Sequence, residues 1–373
     1  MVLTHEIRAI RKFGPGYFIR EQMELRDWTQ EDLAEVMGIT VKHLNRILQD
    51  KQPLTLEMAR VLSEVFKNSP QYWVNLDTGY RLWLEQDKSQ SEVDAEIKSV
   101  IYERMPIKDM VKKGWLKQSA TASKLKSQVL DFWGWEKFDF NQLDTQYLPY
   151  LTRKSEAYAQ FNTSYAITWY RKALLEAEKF DYPAYDRRKL EALYEDMHAF
   201  TVEPKGINKF ISRLADAGVI FFVLPHLQKT YLDGAAFYSG NNPVVVYTGR
   251  YKRIDNFWFT IAHEIAHILL HINKQTPFVL DNLRDKNVDA LEKEANELAA
   301  EKLKHTEILK YLEPYLGYLY SSKVEKCAEL YQVHPAIIIG KLAHDKKISY
   351  GNQSLYNEDV LQHIAKKYQI VHE

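Results

Sequence analysis

Strand-like sequences are confined to one short part of this chain, and that restriction limits its fold class more than any other feature. They occur at residues 219–224, 234–238 and 244–247, and a GNNP turn at residues 240–243 separates the last two. Elsewhere apolar side chains recur mostly at three- and four-residue spacing, which predicts helices. The chain is therefore expected to be mainly α with a small α+β part.

The length and the cysteine count narrow the possibilities further. A chain of 373 residues exceeds the roughly 100–150 residues of a typical domain, so several domains are expected. The single cysteine, Cys327, excludes a disulfide framework and a zinc site built from thiolates, and it is expected to be buried. Any metal must therefore be held by nitrogen and oxygen atoms.

Two compositional features bear on location and partners. The longest apolar runs fall far below the roughly 18 residues needed to cross a membrane, and the N-terminus lacks the pattern of a secretion signal. We therefore expect a cytoplasmic protein with no membrane partner. The 50 basic residues equal the 50 acidic residues, which neither favours nor excludes a nucleic-acid partner.

Residues that typically start or end helices predict five short helices between residues 15 and 83. Pro15 suits a first helical turn, and Gly38 can adopt the left-handed conformation that ends a helix. The predicted capping residues at the starts of the other four helices are Thr29, Thr40, Thr55 and Ser69. These elements predict a small, all-helical N-terminal domain.

Part of this domain has the spacing of a helix-turn-helix. Small Ala34 allows two helices to cross closely, Gly38 makes the turn, and Leu44 anchors the second helix. The residues predicted to face DNA are Gln30, Thr40, Lys42, His43, Asn45 and Arg46. Caps, a glycine between helices and scattered basic residues also occur in helical bundles that do not bind DNA, so spacing alone leaves both alternatives open.

The wider sequence resembles a known family. The run WTQEDLAEVMGIT at residues 28–40 resembles the Xre-type repressors, and the GPG at residues 14–16 and the SPQYWVNL at residues 69–76 are most similar to HigA-type antitoxins. The resemblance covers residues 12–84. It implies a dimer on a palindromic operator with half-sites about 34 Å apart, and a toxin protein as partner.

A second motif, HEIAH at residues 263–267, predicts a metal centre. The spacing places His263 and His267 on one helical face, where both can bind one ion. A later helix carries Glu292 and Asn296 at the same spacing, so one can be the third ligand and the other can hydrogen-bond a ligand histidine. Glu294 would point about 200° away from Glu292, which favours Glu292 as the ligand.

These residues predict Zn²⁺ as the cofactor and peptide hydrolysis as the reaction. Glu264, adjacent to the metal but not bound to it, is predicted to take a proton from the attacking water and pass it to the leaving amine. The group that stabilises the oxyanion is not assigned. Tyr231, Tyr238 and His226 are candidates by their position in the sequence.

The segment from residue 232 to residue 299 resembles the ImmA/IrrE metallopeptidases. This resemblance implies a zincin-like fold with a short twisted sheet, His263, His267 and Glu292 as ligands, and Glu264 as the base. It also implies cleavage of a repressor protein. His271 follows the motif and is expected at the helix end or beside a ligand rather than on the metal. Residues 105–116 resemble the connector of chains that fuse the two modules.

Together these features predict four regions. They are a helix-turn-helix domain at 1–84, a helical connector at 85–204, a zinc peptidase domain at 205–310 and a C-terminal helical region at 311–373. The leading hypothesis is an antitoxin-type transcriptional regulator that carries a zinc-dependent peptidase domain. The alternatives are a metallopeptidase whose main role is to cleave a repressor or itself, and an inactive peptidase fold used as a sensor or toxin-binding platform.

Overall fold

The structure, a computed structural model, describes residues 13–85, 89–141, 162–203, 205–273, 286–349, 356 and 358–370. It divides into two compact units, the first ending at Glu96 and the second beginning at Ile97. The first twelve residues of the predicted helix-turn-helix domain, 1–12, lie outside the described residues.

Within residues 13–85, the first unit contains the five predicted helices. They are α1 (Pro15–Glu24), α2 (Gln30–Met37), α3 (Val41–Leu48), α4 (Leu56–Phe66) and α5 (Pro70–Leu84). Their core is formed by buried apolar side chains from all five helices. It includes Ile19, Leu33, Ala34, Leu44, Ile47, Leu62 and Trp73.

The predicted capping residues determine where these helices begin. The hydroxyl of Thr29 accepts a hydrogen bond from the backbone N–H of Asp32, whose carboxylate accepts one from the backbone N–H of Thr29. Thr40, Thr55 and Ser69 cap α3, α4 and α5 in the same way. Gly38 ends α2 with φ 65°, a conformation that costs glycine little. The predictions for all four caps and for Gly38 are confirmed.

The second unit surrounds a small sheet with helices. Its strands are β1 (Ile220–Val223), β2 (Gly234–Ser239) and β3 (Asn242–Tyr247), in the order β1-β3-β2. β1 pairs parallel with β3, and β2 pairs antiparallel with β3. β2 is therefore an edge strand of the sheet in the described residues. The prediction of a mainly helical chain with one small sheet is confirmed.

Helices precede and follow these strands. Before the sheet lie α6 (Gln90–Arg104), α7 (Ile107–Lys112), α8 (Ala122–Trp133), α9 (Thr163–Ala177), α10 (Arg187–Glu195), α11 (Met197–Phe200) and α12 (Gly206–Asp216). After it lie α13 (Ile254–Leu270), α14 (Lys286–Lys302), α15 (His305–Leu312), α16 (Ser321–Tyr331) and α17 (Pro335–His344). No helix in the described part of the chain is long and apolar enough to span a membrane.

The sheet is the middle layer of the second unit, because its two faces contribute to different cores. Phe221 and Val245 belong to a core that includes Phe257 and Ile261 of α13. The alternate residues, such as Phe222, belong to a second core that includes residues of α9. Strands buried on both faces read as continuous apolar runs rather than as alternating ones, which explains the sequence of β1.

The C-terminal residues of the chain return to this sheet. The backbone N–H of Ile370 donates to the carbonyl of Val223, and Gln369 forms a parallel bridge with the same residue. Val360 and Tyr368 are buried in the core that contains α13. Cys327 is buried in a separate apolar cluster, as expected, and burial raises the pKa of its thiol to about 11. The division of this unit into three regions stays a prediction.

Candidate metal centre and nucleic-acid interface

Three side chains from two helices meet at one point in the second unit. The Nε2 atoms of His263 and His267 on α13 lie 3.0 Å apart. From α14, Oε2 of Glu292 lies 3.4 Å from His263 Nε2, and Oε1 lies 3.2 Å from His267 Nε2. The structure therefore brings together the three residues predicted as ligands, and it places Glu292 rather than Glu294 beside the two imidazoles.

The position of α13 follows from its apolar residues. Ile261, Ile265 and Ile268 are buried in the core beside the sheet, so the helix is held along most of its length. His263 and His267 project from another face, where α14 packs against α13. His267 is only 5% exposed. The amphipathic pattern thus places both imidazoles at the wall of a cleft.

Glu264 is buried beside this cluster, and Gly234 at the start of β2 allows the close packing. A Cβ atom added at Gly234 would lie 2.8 Å from Oε1 of Glu264 and 2.6 Å from Cγ2 of Thr260. Any side chain at residue 234 would therefore displace the strand or the carboxylate. Glu264 is 8% exposed, so its carboxylate has little contact with bulk water.

These groups line a cleft of about 260 Å³. Its lining residues come from α9, β2 and the segment before it, α13 and α14: Tyr170, Tyr231, Leu232, Asp233, Gly234, Ala235, Ala236, Asn256, Phe259, Thr260, His263, Glu264, His267, Glu292 and Asn296. Of the three candidates for oxyanion stabilisation, Tyr231 lines the cleft, whereas Tyr238 and His226 are not among its lining residues.

Sequence reasoning missed four polar residues of this cleft, which are Tyr170, Asp233, Asn256 and Thr260. Asn256 precedes Thr260 and Glu264 at four-residue intervals, so the helical spacing contained a signal for it. Tyr170 lies on α9, about ninety residues before the motif, and no pattern in the sequence connects it with the histidines. Its ring packs against Phe237 of β2 with 4.9 Å between the ring centroids.

The donor set fits zinc. His263, His267 and Glu292 can each offer a ligand atom, and these atoms all lie within 4.8 Å of one another. Two imidazole nitrogens and one carboxylate oxygen are a common set in catalytic zinc sites, which keep a fourth position open. The adjacent cleft provides space at that position.

A second set of contacts lies behind the predicted ligand His267. Its Nδ1 atom is 2.9 Å from Nδ1 of His271, and Nε2 of His271 is 3.1 Å from Oε2 of Glu294. Burial lowers the pKa of His271 from its ordinary value, although the hydrogen bond to Glu294 opposes this shift. Asn296 lines the cleft, and its predicted contact with a ligand histidine stays a prediction.

The residues predicted to face DNA cluster on α2 and α3 of the first unit. Lys42 and Arg46 are exposed one turn apart on α3, and neither forms an ion pair with another described residue. His43 is half-buried, with its Nε2 atom 2.9 Å from Nε2 of Gln52. Asn45 is exposed, and its Oδ1 atom accepts a hydrogen bond from Gln49.

The remaining two residues of this set lie at helix starts. The hydroxyl of Thr40 caps α3 by accepting a hydrogen bond from the backbone N–H of His43. Gln30 is the first residue of α2 and is half-buried. Thr40 therefore has a structural role in addition to the predicted one.

Comparison with known proteins supports a role in DNA binding. A helix-turn-helix family model matches residues 19–73. An HTH-type transcriptional regulator of Haemophilus influenzae is 33% identical over 72 residues, which are 19% of this chain and 67% of that protein. The HTH-type transcriptional regulator YddM of Escherichia coli is 37% identical over 68 residues, or 18% of this chain and 72% of that protein. The chain belongs to the HTH-type transcriptional regulators.

This regulator also carries a second recognisable domain. The model of the IrrE N-terminal-like domain, which describes a peptidase family, matches residues 219–342. That range contains β1 to β3, all three predicted ligands and Glu264. Peptidases of this family generally depend on zinc. The chain is thus a DNA-binding regulator with an IrrE-like peptidase domain.

Two solved structures resemble part of the regulator. One is a Pseudomonas aeruginosa protein in complex with its 18-bp operator DNA, at 25% identity over 24% of this chain and 96% of that chain, with a TM-score of 0.22. The other is an addiction module antidote protein of the HigA family from Coxiella burnetii, at 22% identity over 25% of this chain and 97% of that chain, with a TM-score of 0.21.

Proposed function

We propose that this regulator binds a specific operator through α3 and carries an active zinc-dependent peptidase in its second unit. The observation that supports the enzymatic half is the juxtaposition of His263, His267 and Glu292, with Glu264 buried beside them at the wall of one cleft. A peptidase fold that has lost its activity would not be expected to keep both a ligand set and an adjacent carboxylate.

Each residue has a specific task in the proposed reaction. His263, His267 and Glu292 would hold zinc, which when bound polarises a carbonyl and lowers the pKa of a water toward ~7. Glu264 accepts the proton of the attacking water and delivers it to the nitrogen of the leaving amine. Its burial excludes most bulk water that would compete for this proton.

The cleft lies along the edge strand β2. Its lining includes Leu232, Asp233 and Gly234 at the start of this strand and Ala235 and Ala236 within it. An extended peptide can add to an exposed sheet edge through main-chain hydrogen bonds. A substrate bound in this way would pass directly beside Glu264, which makes a polypeptide the proposed substrate.

The DNA-binding half of the proposal depends on α3. Lys42 and Arg46 present two positive charges on one exposed face of that helix, and Asn45 lies between them. Lysine and arginine bind phosphates and guanine edges, and asparagine reads adenine. We propose a homodimer on a palindromic operator, since two copies of one reading helix require two related half-sites.

The proposal includes an antitoxin-type role, supported by the sequence similarity at residues 14–16 and 69–76. Such a regulator is expected to bind DNA upstream of its own gene and to form a complex with a toxin protein encoded beside it. Copurification of the neighbouring gene product with the full chain tests this role. A regulator that binds neither that protein nor its own upstream DNA would contradict it.

The DNA-binding half is tested by retention of labelled upstream DNA. Replacing both Lys42 and Arg46 with alanine should abolish retention at physiological salt. The matched control replaces Arg60, an exposed cation of α4, and Lys67, the exposed cation that follows the end of this helix, and should retain the DNA. Equal binding by both double variants would overturn the role of α3.

The enzymatic half is tested by incubating the full chain with unfolded and repressor-type polypeptides and detecting fragments by mass spectrometry. We expect cleavage that requires zinc, stops on chelation and is lost in Glu264→Gln. This variant keeps the three ligands and should still bind DNA. Fragments that persist in Glu264→Gln would contradict the role of Glu264.

A further inference from the structure

The two nitrogen atoms of His267 face different partners. Nε2 points toward His263 and Glu292, at 3.0 Å and 3.2 Å. Nδ1 lies 2.9 Å from Nδ1 of His271. A neutral imidazole has only one nitrogen able to bind a metal, so the partner of Nδ1 controls whether Nε2 is available.

The two imidazoles and Glu294 permit one consistent arrangement of protons. If Nε2 of His267 is to bind a metal, its proton must be on Nδ1, which then donates to Nδ1 of His271. His271 must therefore carry its own proton on Nε2, where Oε2 of Glu294 accepts a hydrogen bond at 3.1 Å. The chain of two hydrogen bonds ends on the carboxylate of Glu294, whose oxygen accepts the last one.

Backbone and packing hold His271 in this position. It ends α13, and its backbone N–H donates to the carbonyl of His267 at 2.9 Å. The side chain of His271 is only 3% exposed, whereas that of Glu294 is 59% exposed. The imidazole of His271 is thus enclosed between a predicted ligand and a surface carboxylate.

Glu294 also connects the two helices that supply the ligands. It lies two residues after Glu292 on α14, and the two carboxylates reach different rings of α13: Glu292 contacts His263 and His267, and Glu294 contacts His271. Carboxylate pairs that reach adjacent imidazoles limit both the rotation of the rings and the sliding of the helices.

We infer that His271 and Glu294 are positioning residues for the metal centre, which fix the tautomer and ring orientation of His267. This inference rests on the proposed zinc function. Outer partners of ligand histidines typically change metal affinity by ~10- to 100-fold when they are removed. The effect should therefore appear in metal binding itself, apart from any turnover.

The first experiment compares two replacements of His271 in the full chain. Asparagine keeps an acceptor near the place of Nδ1, whereas leucine keeps volume but has no acceptor. Zinc affinity, measured by competition with a chromophoric chelator, should fall ~10- to 100-fold in His271→Leu and be partly restored in His271→Asn. The absorption of bound Co²⁺ should change in the same order. A purely packing role predicts the opposite order.

The second experiment does not depend on a buried substitution. Glu294→Ala removes the final acceptor of the chain, and Glu297→Ala removes a carboxylate of the same helix that is 68% exposed and lies 3.7 Å from Lys293. We expect several-fold weaker zinc binding in Glu294→Ala and none of this change in Glu297→Ala. If the His271 variants do not fold, as judged by circular dichroism, this pair decides the question.

The possible outcomes distinguish this inference from the function on which it rests. Wild type that binds zinc, together with unchanged affinity in Glu294→Ala and in His271→Leu, would overturn the positioning role and leave the peptidase proposal intact. Wild type that binds no zinc would overturn the proposed function and this inference together. The expected ranking of affinities, with wild type above His271→Asn and His271→Asn above His271→Leu, supports both.

Discussion

The two units of this regulator assemble their candidate sites in different ways. In the first unit, every residue predicted to face DNA lies between Gln30 and Arg46, on two consecutive helices and the turn between them. In the second, the cleft takes residues from positions 170 to 296, on α9, β2, α13 and α14. The first site is therefore defined by local sequence and the second by long-range packing.

The two sites also differ in burial. Lys42 and Arg46 are exposed, so their attraction to phosphates is screened by salt. Glu264 and His267 are buried, and their geometry is fixed by surrounding apolar side chains before any substrate arrives. Substitutions should therefore affect one function at a time.

The largest effect is expected in the core of the first unit. Leu44 is fully buried, and Leu44→Ala should lower the free energy of unfolding of that unit by ~2–5 kcal/mol because it leaves a cavity. Denaturant titration measures the loss of stability, and operator retention measures the accompanying loss of DNA binding. Zinc content should not change. Leu25→Ala, at a residue that is 76% exposed, is the control. Loss of zinc in Leu44→Ala would show that the sites are not separable.

The next prediction concerns the contact between β2 and α13. Gly234→Ala should displace Glu264 or the strand, because the new methyl group would lie within 3 Å of Glu264 and Thr260. A displacement of this kind can reduce the rate of peptide cleavage by ~100-fold. Gly317→Ala, where nothing lies within 4 Å of the added atom, should have no effect. Normal cleavage by Gly234→Ala would contradict the proposed position of the substrate.

A pH effect on stability is expected in the second unit. Burial lowers the pKa of His305 to about 3, and its Nδ1 atom has no hydrogen-bond partner in the described structure. Below pH 6.5 the unfolded chain binds a proton that the folded chain excludes. The free energy of unfolding therefore decreases as the pH is lowered, by ~2 kcal/mol at pH 5. Denaturant unfolding at pH 7.5 and pH 5 measures this difference in stability. The difference should be smaller in His305→Leu than in wild type, and it should be unchanged in a variant of the exposed His344.

The smallest effect concerns a helix cap of the first unit. Thr29→Ala removes the side-chain acceptor at the start of α2 and should lower the free energy of unfolding by ~1 kcal/mol. The same replacement at Thr78, an exposed residue within α5, has no cap to remove. Thermal unfolding followed by circular dichroism compares the two. An equal shift in both variants would mean that the cap does not stabilise the unit.

The sequence predicted most of what depends on neighbouring residues. The caps at Thr29 and Thr40 and the turn at Gly38 follow from local backbone chemistry and are confirmed. The strands were found because β1 and β3 are apolar on both faces. The ligand cluster was predicted because helical spacing alone places His263 beside His267.

The rest required the fold. Tyr170 reaches the cleft only because α9 packs on the sheet, and the contact of His271 with both His267 and Glu294 depends on how α13 meets α14. The hydrogen bond between Ile370 and Val223 of β1 could likewise not be predicted from the sequence, since composition carries no information on strand pairing between distant residues. Local patterns predict elements, while contacts between elements must be observed.

Zinc content tests the enzymatic proposal most directly. Purified full-length regulator and its His263→Ala variant are analysed by mass spectrometry for metal per chain, with DNA retention as the control for folding of the first unit. We predict one zinc ion per chain in wild type and none in His263→Ala, with DNA retained by both. Wild type without stoichiometric zinc would contradict the assignment of His263, His267 and Glu292 as a metal centre.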